Sequence, residues 1–146
     1  MRRRAALLAA WLVLLAAPAT AAATERYVGE TEDGRSVKLV ANDRGAVMRG
    51  SITAMTDCTG SYDDFRARAE LRAPLDRSGP RGFRDKGSAV ESDDKFSARY
   101  RHRVDGERES ERVIAGELDL EVVFRRDGRE YTTCTVEDLV FSARRG

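Results

Sequence analysis

The chain has one histidine, two cysteines and one tryptophan in 146 residues, and the first two shortages close off whole classes of chemistry. With His102 as the only imidazole, a two-histidine ribonuclease pair cannot be built. A tetrahedral zinc site lacks donors for the same reason. A serine or cysteine hydrolase would have to take His102 as its base, and no Gly-x-Ser-x-Gly turn is present to hold a nucleophile. Neither a phosphate-binding loop nor a dinucleotide glycine fingerprint occurs, so no cofactor is expected. Asn42, the only asparagine, is followed by Asp43-Arg44, which excludes an N-glycosylation sequon.

What the chain does have starts at its N-terminus. Arg2-Arg3-Arg4 leads into the apolar stretch Ala5 to Ala17, which closes on the small residues Thr20-Ala21-Ala22-Ala23. That order of basic, apolar and small residues is the pattern of a secretory signal spanning 1–23, cleaved near Ala23. The apolar run is too short to cross a bilayer, and Glu25 and Arg26 follow it at once. The expected location is therefore secreted, periplasmic or extracellular. Removing the segment takes away Trp11 and three arginines, so the basic count drops from 26 to 23 against 25 acidic residues. The remainder, 24–146, is rich in charge but balanced, with Tyr, Phe and Val spread through it. Disordered chains tend to combine large net charge with few such residues, so one soluble folded domain is expected.

Cys58 and Cys134 are an even pair at wide separation. In an oxidising compartment they read as a structural disulfide. Closing a loop of about 77 residues stabilises the fold by roughly 4.5 kcal/mol in the chain-entropy picture.

The repeating signal along the mature chain has period two. Phe65 to Ala73 alternates without error, apolar at odd positions and charged at the even ones to Arg72. Phe96, Ala98, Tyr100, His102 and Val104 form the apolar face of a second strand whose other face is Arg99, Arg101 and Arg103. Ile114, Gly116, Leu118, Leu120, Val122 and Phe124 form a third, with Glu117, Asp119 and Glu121 opposite. Met48, Ile52, Ala54 and Cys58 line a fourth, and Val37, Leu39 and Ala41 a fifth. Half-buried strands of this kind build antiparallel sheets with one wet face. Asp33-Gly34 and Asp127-Gly128 suit two-residue hairpins. Asp43-Arg44-Gly45 reads as a longer turn, and Asp105-Gly106 as the start of a charged loop. The predicted fold is all-β, a single-domain antiparallel sandwich or small barrel of about seven to eight strands with one intersheet disulfide.

Two stretches read less simply. Residues 136–143 place Val136, Leu139, Val140 and Ala143 at helical spacing, while Leu139, Phe141 and Ala143 fit a strand. The strand is preferred, because a β domain seldom ends on so short an amphipathic helix. Residues 74–95 hold Ser78-Gly79-Pro80-Arg81-Gly82, Lys86-Gly87-Ser88 and Asp93-Asp94, which predicts a long flexible loop.

Several of these motifs together resemble a group of small secreted β proteins of high-GC bacteria. The opening Tyr27-x-Gly29-x-Thr31, then Gly34 and Val37, matches the group's start. Cys58, the Phe96-Ser97 pair, Gly116-x-Leu118, Cys134 and the tail Phe141-Ser142-Ala143-Arg144 follow its later landmarks. The group's tail aromatic is usually Trp, and its Gly soon after the second cysteine is missing here. The resemblance implies a disulfide-tied β domain with a strand at its C-terminus, and no catalytic residue.

Arg99, Arg101, Arg103 and His102 are the candidate binding residues, with Arg66, Arg68 and Arg72 on a preceding strand. Together they suggest a basic plate for anionic glycans or nucleic acid. Pairing the strands about residue 110 sets Arg99 against Glu121, Arg101 against Asp119 and Arg103 against Glu117, which would neutralise it. In the same register Tyr100 meets Leu120 and Phe96 meets Phe124. His102 then reads as a histidine at the core edge with satisfied ring nitrogens. Asp63-Asp64 and Asp93-Asp94 carry oxygens of the type that hold calcium, but lack the spacing of a calcium loop, and turn formation explains both.

Two function classes survive. The leading one is a secreted non-enzymatic domain that binds a ligand or protein partner at the cell envelope or outside the cell, through loops or one sheet face; nucleic acid is not an expected partner. The other is a small secreted hydrolase using paired carboxylates, centred on Asp57, Asp63 and Asp64. The first predicts an exposed apolar or aromatic patch, and a barrel holding a small apolar ligand is a variant of it. The second predicts two carboxylates facing one another across a cleft.

Overall fold

Nine antiparallel strands form one continuous sheet in the computed structural model, which describes residues 23–146; the signal-like segment 1–22 lies outside the described residues. The strands are β1 (Thr24–Thr31), β2 (Ser36–Asn42), β3 (Val47–Cys58), β4 (Phe65–Arg72), β5 (Asp76–Ser78), β6 (Gly82–Ser92), β7 (Phe96–Ser110), β8 (Val113–Arg126) and β9 (Arg129–Arg145). Their order across the sheet is β4-β3-β2-β1-β9-β8-β7-β6-β5.

That order forces curvature. β4 and β5 are the two edges of the sheet, yet only Ala73, Pro74 and Leu75 connect them. Nine strands laid flat at about 4.8 Å spacing would put the edges roughly 38 Å apart. Four Cα steps reach at most about 15 Å. The sheet must therefore roll until its edges approach, and β4 does come close to β6 and β8. The result is a barrel with an unzipped seam: β4 and β6 face each other across it without backbone pairing. Of the two predicted architectures, the barrel is the one formed.

Alternation supplies the inside of this roll. Ala67, Ala69 and Leu71 of β4, Val37, Leu39 and Ala41 of β2, and Ile114, Leu118, Leu120 and Val122 of β8 are all buried in one core. Tyr27, Ile52, Phe83, Val104 and Phe141 complete it. The small side chains at 67, 69, 98 and 143 let strands on opposite walls approach closely, which suits a narrow barrel.

Three of the sheet's four bulges explain where the sequence pattern misleads. In β9, Leu118 pairs with Leu139 and Leu120 with Val136, so one extra residue sits opposite Asp119. Asp138 occupies the left-handed region at φ 51°, and its N–H donates to Asp119 Oδ1 at 2.9 Å. The extra residue swaps faces: Thr132, Cys134 and Val136 point inward before it, Leu139, Phe141 and Ala143 after it. Apolar residues at 136, 139 and 143 thus imitate a helix, but the segment is strand. In β3, Met48 is the extra residue opposite the step from Val40 to Ala41. Val47 takes the inward place, and Met48, expected inside, is exposed. In β7, Glu109 is the extra residue before the Glu111-Arg112 turn.

The turn at Glu111-Arg112 and that last bulge together set the β7–β8 register. Arg101 faces Glu121, Arg103 faces Asp119 and Arg99 faces Val123, two residues from the predicted pairing. Tyr100 meets Val122, and Phe96 meets Arg126 instead of Phe124. A slip of two leaves every side chain on its own face, so face-matching alone cannot detect it. Asp105-Gly106 lies within β7 and opens no loop; Gly106 is buried under the Phe83 ring.

The segment 74–95 also differs from its predicted loop. β6 pairs with β7 over its whole length, from Gly82–Glu107 to Ser92–Ser97, and β5 pairs with the start of β6. Its glycines have two different causes. Gly79, at φ 76°, makes the β5–β6 turn. Gly87 lies beneath the His102 imidazole, where a Cβ would collide with the ring. Of the predicted two-residue hairpins, Asp127-Gly128 has both residues at positive φ, 49° and 76°. Asp33-Gly34 instead belongs to a three-residue loop, because the Thr31 N–H reaches Arg35 O at 2.8 Å.

Cys58 and Cys134 form the disulfide, directly opposite each other where the end of β3 pairs with β9. β1 stops at Thr31, and beyond its end β3 reaches β9 directly. The bond thus staples two paired strands of one sheet, where the sequence reading had it bridging two sheets. Full reduction is expected to lower stability by up to about 4.5 kcal/mol, read from urea unfolding of oxidised against reduced protein. The bulge gives a second expected outcome. Asp138→Gly should leave stability unchanged or raised, whereas Asp138→Val should cost about 1–2 kcal/mol, since a branched side chain resists left-handed backbone.

Candidate functional site

The antiparallel meander gives the barrel two poles, and the stapled pole carries the most exposed aromatic surface. At this pole β3 ends, β4 begins and the β8–β9 hairpin turns. The disulfide fixes the β3 end to β9, and threonines extend the clamp past it. Thr59 N–H donates to Thr133 O at 2.9 Å, Thr133 N–H to Thr59 Oγ1 at 3.1 Å, and Thr132 Oγ1 to Thr59 O at 3.0 Å. This clamp holds the short turn after Thr59 against β9, and so places Tyr62 beside Tyr131.

The rings form a continuous series. Tyr62 and Tyr131 have centroids 5.5 Å apart, Tyr131 and Phe124 6.2 Å, and Phe124 and Phe65 5.0 Å in an edge-to-face arrangement. Phe65 and Phe124 pack against the core, while Tyr62 is 51% and Tyr131 39% exposed. Phe96, predicted to lie inside, is 43% exposed and stacks under the Arg126 guanidinium at 5.3 Å. Tyr131 is the extra residue where the β8–β9 register shifts between Phe124 and Arg125. Strict alternation gives no hint of such a residue, so the sequence reading did not single it out. Tyr62 follows the Gly60-Ser61 turn, outside any periodic pattern.

Of the arginines predicted to bind, Arg101, Arg103 and Arg68 are engaged by acids. Arg101 Nη1 lies 3.5 Å from Glu121 Oε1, and Arg103 Nε donates to Asp105 Oδ2 at 2.8 Å. Asp105 also pairs with Arg84. Arg99 faces Val123. Arg68 pairs with Glu70 at 3.6 Å on β4, an edge strand that does not neighbour β7 in the sheet. The two arginine stripes therefore do not join into one plate through neighbouring strands.

His102 points into the barrel near the seam. Its Nε2 lies 3.0 Å from Asp85 Oδ2, and the two side chains are only 9% and 15% exposed. The ring is held between this carboxylate and Gly87, with no hydroxyl or thiol bonded to it. Beside it the Tyr100 hydroxyl donates to Glu91 Oε2 at 3.2 Å. Burial, reinforced by the Glu91 charge and hydrogen bond, pushes the Tyr100 phenol above its ordinary range.

The acids proposed for a hydrolase lie outside the large cleft at the opposite pole and the two smaller hollows along β7 and β8. Asp57 is on β3, Asp63 and Asp64 precede β4, and all three are exposed. Asp93 makes a turn: its Oδ1 accepts the N–H groups of Lys95 at 3.0 Å and Phe96 at 2.8 Å, which holds its carboxyl below the ordinary range. Among the described residues no cluster of three or more His, Cys, Asp or Glu is placed to hold a metal ion.

At the opposite pole lies a cleft of about 1120 Å³, lined by the β2–β3 turn, the β4–β5 connection, the β5–β6 turn and the β7–β8 turn. Its base is a polar network. The Glu25 carboxylate receives Arg145 at 2.7 Å and Arg108 at 3.6 Å, and the Tyr27 hydroxyl donates to Glu25 Oε2 and to Glu111 O, both at 3.0 Å. Desolvation and the bond to Glu25 raise the Tyr27 phenol above its ordinary range.

The acids bonded to arginine make acid sensitivity testable. Partial burial opposes ionisation of Asp105, but bonds from Arg84 and Arg103 outweigh it and hold the carboxyl below its ordinary range. Asp33 is lowered in the same way: burial opposes ionisation, and bonds from the Thr31 hydroxyl and the Met55 N–H outweigh it. A depressed folded-state value adds stability above about pH 4, the unfolded-chain range, and that stability disappears as pH falls through the folded value. Asp105→Asn is expected to lower stability at pH 7 by less than about 1 kcal/mol, because the pair is partly solvated. It should also flatten the loss of stability between about pH 5 and 2, measured by urea unfolding across that range.

No protein-family model matches this chain, and neither a curated protein nor a solved structure is significantly similar to it.

Proposed function

We propose that this protein is an exported, non-enzymatic binding domain whose working surface is the aromatic cluster at the stapled pole. The observation that carries the reading is the Tyr62–Tyr131 pair, two half-exposed rings 5.5 Å apart on a support fixed by the disulfide and the threonine clamp. Exposed aromatic rings held this firmly bind with little loss of side-chain freedom. The signal-like N-terminus supports export, and a disulfide is compatible with an oxidising compartment outside the cytoplasm. The resemblance to small secreted β proteins points the same way.

The chemistry favours a glycan. Tyrosine offers an apolar face to a pyranose ring and a hydroxyl to its polar edge. The two half-exposed tyrosine rings present on the order of 200 Å², well short of the roughly 800 Å² per partner that a stable protein interface buries. Exposed Asp63, Asp64 and Glu130 around the rings supply acceptors for sugar hydroxyls.

The test is a titration with N-acetylglucosamine tetramer and with cellotetraose, followed by NMR. The mature chain has no tryptophan, so the signals of its four tyrosines are simple to assign. One of the two glycans is expected to shift the ring signals of Tyr62 and Tyr131 and leave those of buried Tyr27 unchanged. Tyr62→Ala with Tyr131→Ala should weaken binding at least tenfold, about 1.4 kcal/mol, without changing the fold. Absence of any ring shift with either glycan at millimolar concentration would refute the reading.

A further inference from the structure

β6 offers an open and poorly guarded backbone edge. β5 covers it only from Gly82 to Arg84, and beyond Arg84 its far side pairs with no strand. At the hairpin end the Asp93 N–H donates to Phe96 O at 2.9 Å, and β6 runs from there against β7 without a register shift. In an antiparallel ladder alternate residues turn their backbone groups to the same neighbour. Glu91, Ala89, Gly87 and Asp85 therefore face β7, whereas Ser92, Val90, Ser88 and Lys86 hold their N–H and C=O groups toward the open side. The Arg108 N–H bond to Arg81 O, at the other end of the hairpin, fits the same alternation.

Proteins block such edges with charge, proline or bulges. β4, the other strand at the seam, has a charged residue at each outward position: Arg66, Arg68, Glu70 and Arg72. From Gly87 to Ser92, β6 has one charge, Glu91, with no proline and no bulge. Every residue from Ser88 to Ser92 is exposed, on the inner face as well as the outer, so β4 does not cover this stretch. Val90 is 63% exposed on it.

The stretch is complementary to itself. A two-fold axis at Val90 sets Val90 against Val90 of a second copy, Ser88 against Ser92 and Ala89 against Glu91. Residues 88, 90 and 92 then meet through their open N–H and C=O groups, each pair exchanging both bonds. Lys86 comes opposite Asp94 of the second copy at either end, and among the described residues Lys86 makes no ion pair of its own, while its neighbour Arg103 is held by Asp105. An axis at Ser88 would instead put Asp85 opposite Glu91, and one at Ala89 would put Asp85 opposite Asp93. Charge therefore selects the register centred on Val90.

We infer that β6 is a self-association edge, at which a second copy of this chain adds its own β6 antiparallel and joins the two sheets over residues 88–92. Five paired residues bury far less than the roughly 800 Å² per partner of a stable interface, so the dimer is weak, with a Kd on the order of 0.5 mM. It does not depend on the glycan reading of the aromatic pole.

The test is sedimentation equilibrium of the protein expressed from its full chain, from about 0.05 to 2 mM at low salt. A monomer–dimer equilibrium is expected. Val90→Lys and Ser88→Pro should each weaken it at least fivefold, the first by placing like charges at the axis, the second by removing an N–H that faces the edge. Neither group serves the β6–β7 ladder, so both variants should unfold close to the wild-type midpoint. Val28→Lys, at a similarly exposed valine on β1, should leave the dimer unchanged. The register has its own check. Lys86→Asp and Asp94→Lys should each weaken dimerisation alone, and an equimolar mixture of the two should restore it, because the mixed pair regains both opposite-charge contacts. A chain that stays monomeric at 2 mM would overturn the inference and leave the edge to an extended segment of a different protein. A dimer indifferent to Val90→Lys and Ser88→Pro, or a mixture no better associated than either variant alone, would overturn it as well.

Discussion

Everything in this molecule follows from the three-residue connection between its two edge strands. Ala73, Pro74 and Leu75 join β4 to β5 across what would be the full width of a nine-stranded sheet. A flat sheet cannot satisfy that tether, so the sheet rolls and its inner face becomes the core. Rolling also converts two rows of turns into two poles, and each pole gathers residues far apart in sequence. Tyr62 and Tyr131 meet at one end; Arg44, Arg77 and Arg81 ring the other.

The disulfide plays a local part within that frame. The tether acts where β4 ends, whereas Cys58–Cys134 acts at the other pole, where β3 outruns the β1–β2 hairpin and reaches β9. Between these points the seam along β4 and β6 stays unzipped. The inner face beside it carries the polar pairs His102–Asp85 and Tyr100–Glu91. A barrel fixed at both ends and open along part of one side is well suited to display surfaces at its poles, and less suited to burying a reaction centre. Asp57, Asp63 and Asp64, the acids of the hydrolase reading, stand exposed at the stapled pole, outside the cleft of the opposite pole.

The strands with one apolar face were legible in the sequence because period-two burial acts at every residue of a half-buried strand. β4 and β8 follow their alternation from end to end. What escaped has identifiable causes. β6 lies at the seam, so its inward Asp85 and Glu91 are polar and the alternation is hidden. Gly87 resembles a turn signal but is required by the His102 ring above it. Asp138 shifts the face of β9 and makes a strand look helical. The register of β7 against β8 differs by two because the hairpin turns at Glu111-Arg112 and carries a bulge at Glu109, and a net shift of two preserves faces while changing partners. The aromatic site depends on which turns share a pole, a property of sheet closure that no local pattern encodes. The spacing of the β7 arginines puts them on one face, but does not reveal that Glu121 and Asp105 engage two of them.

Closure of the sheet is the central claim, and one distance decides it. Spin labels at Arg68 on β4 and Lys86 on β6, both exposed, report across the seam by double electron–electron resonance. The rolled sheet requires a single distribution below about 20 Å. A flat or open sheet would place the labels about seven strand spacings apart, roughly 34 Å, and a distribution centred there would contradict the account.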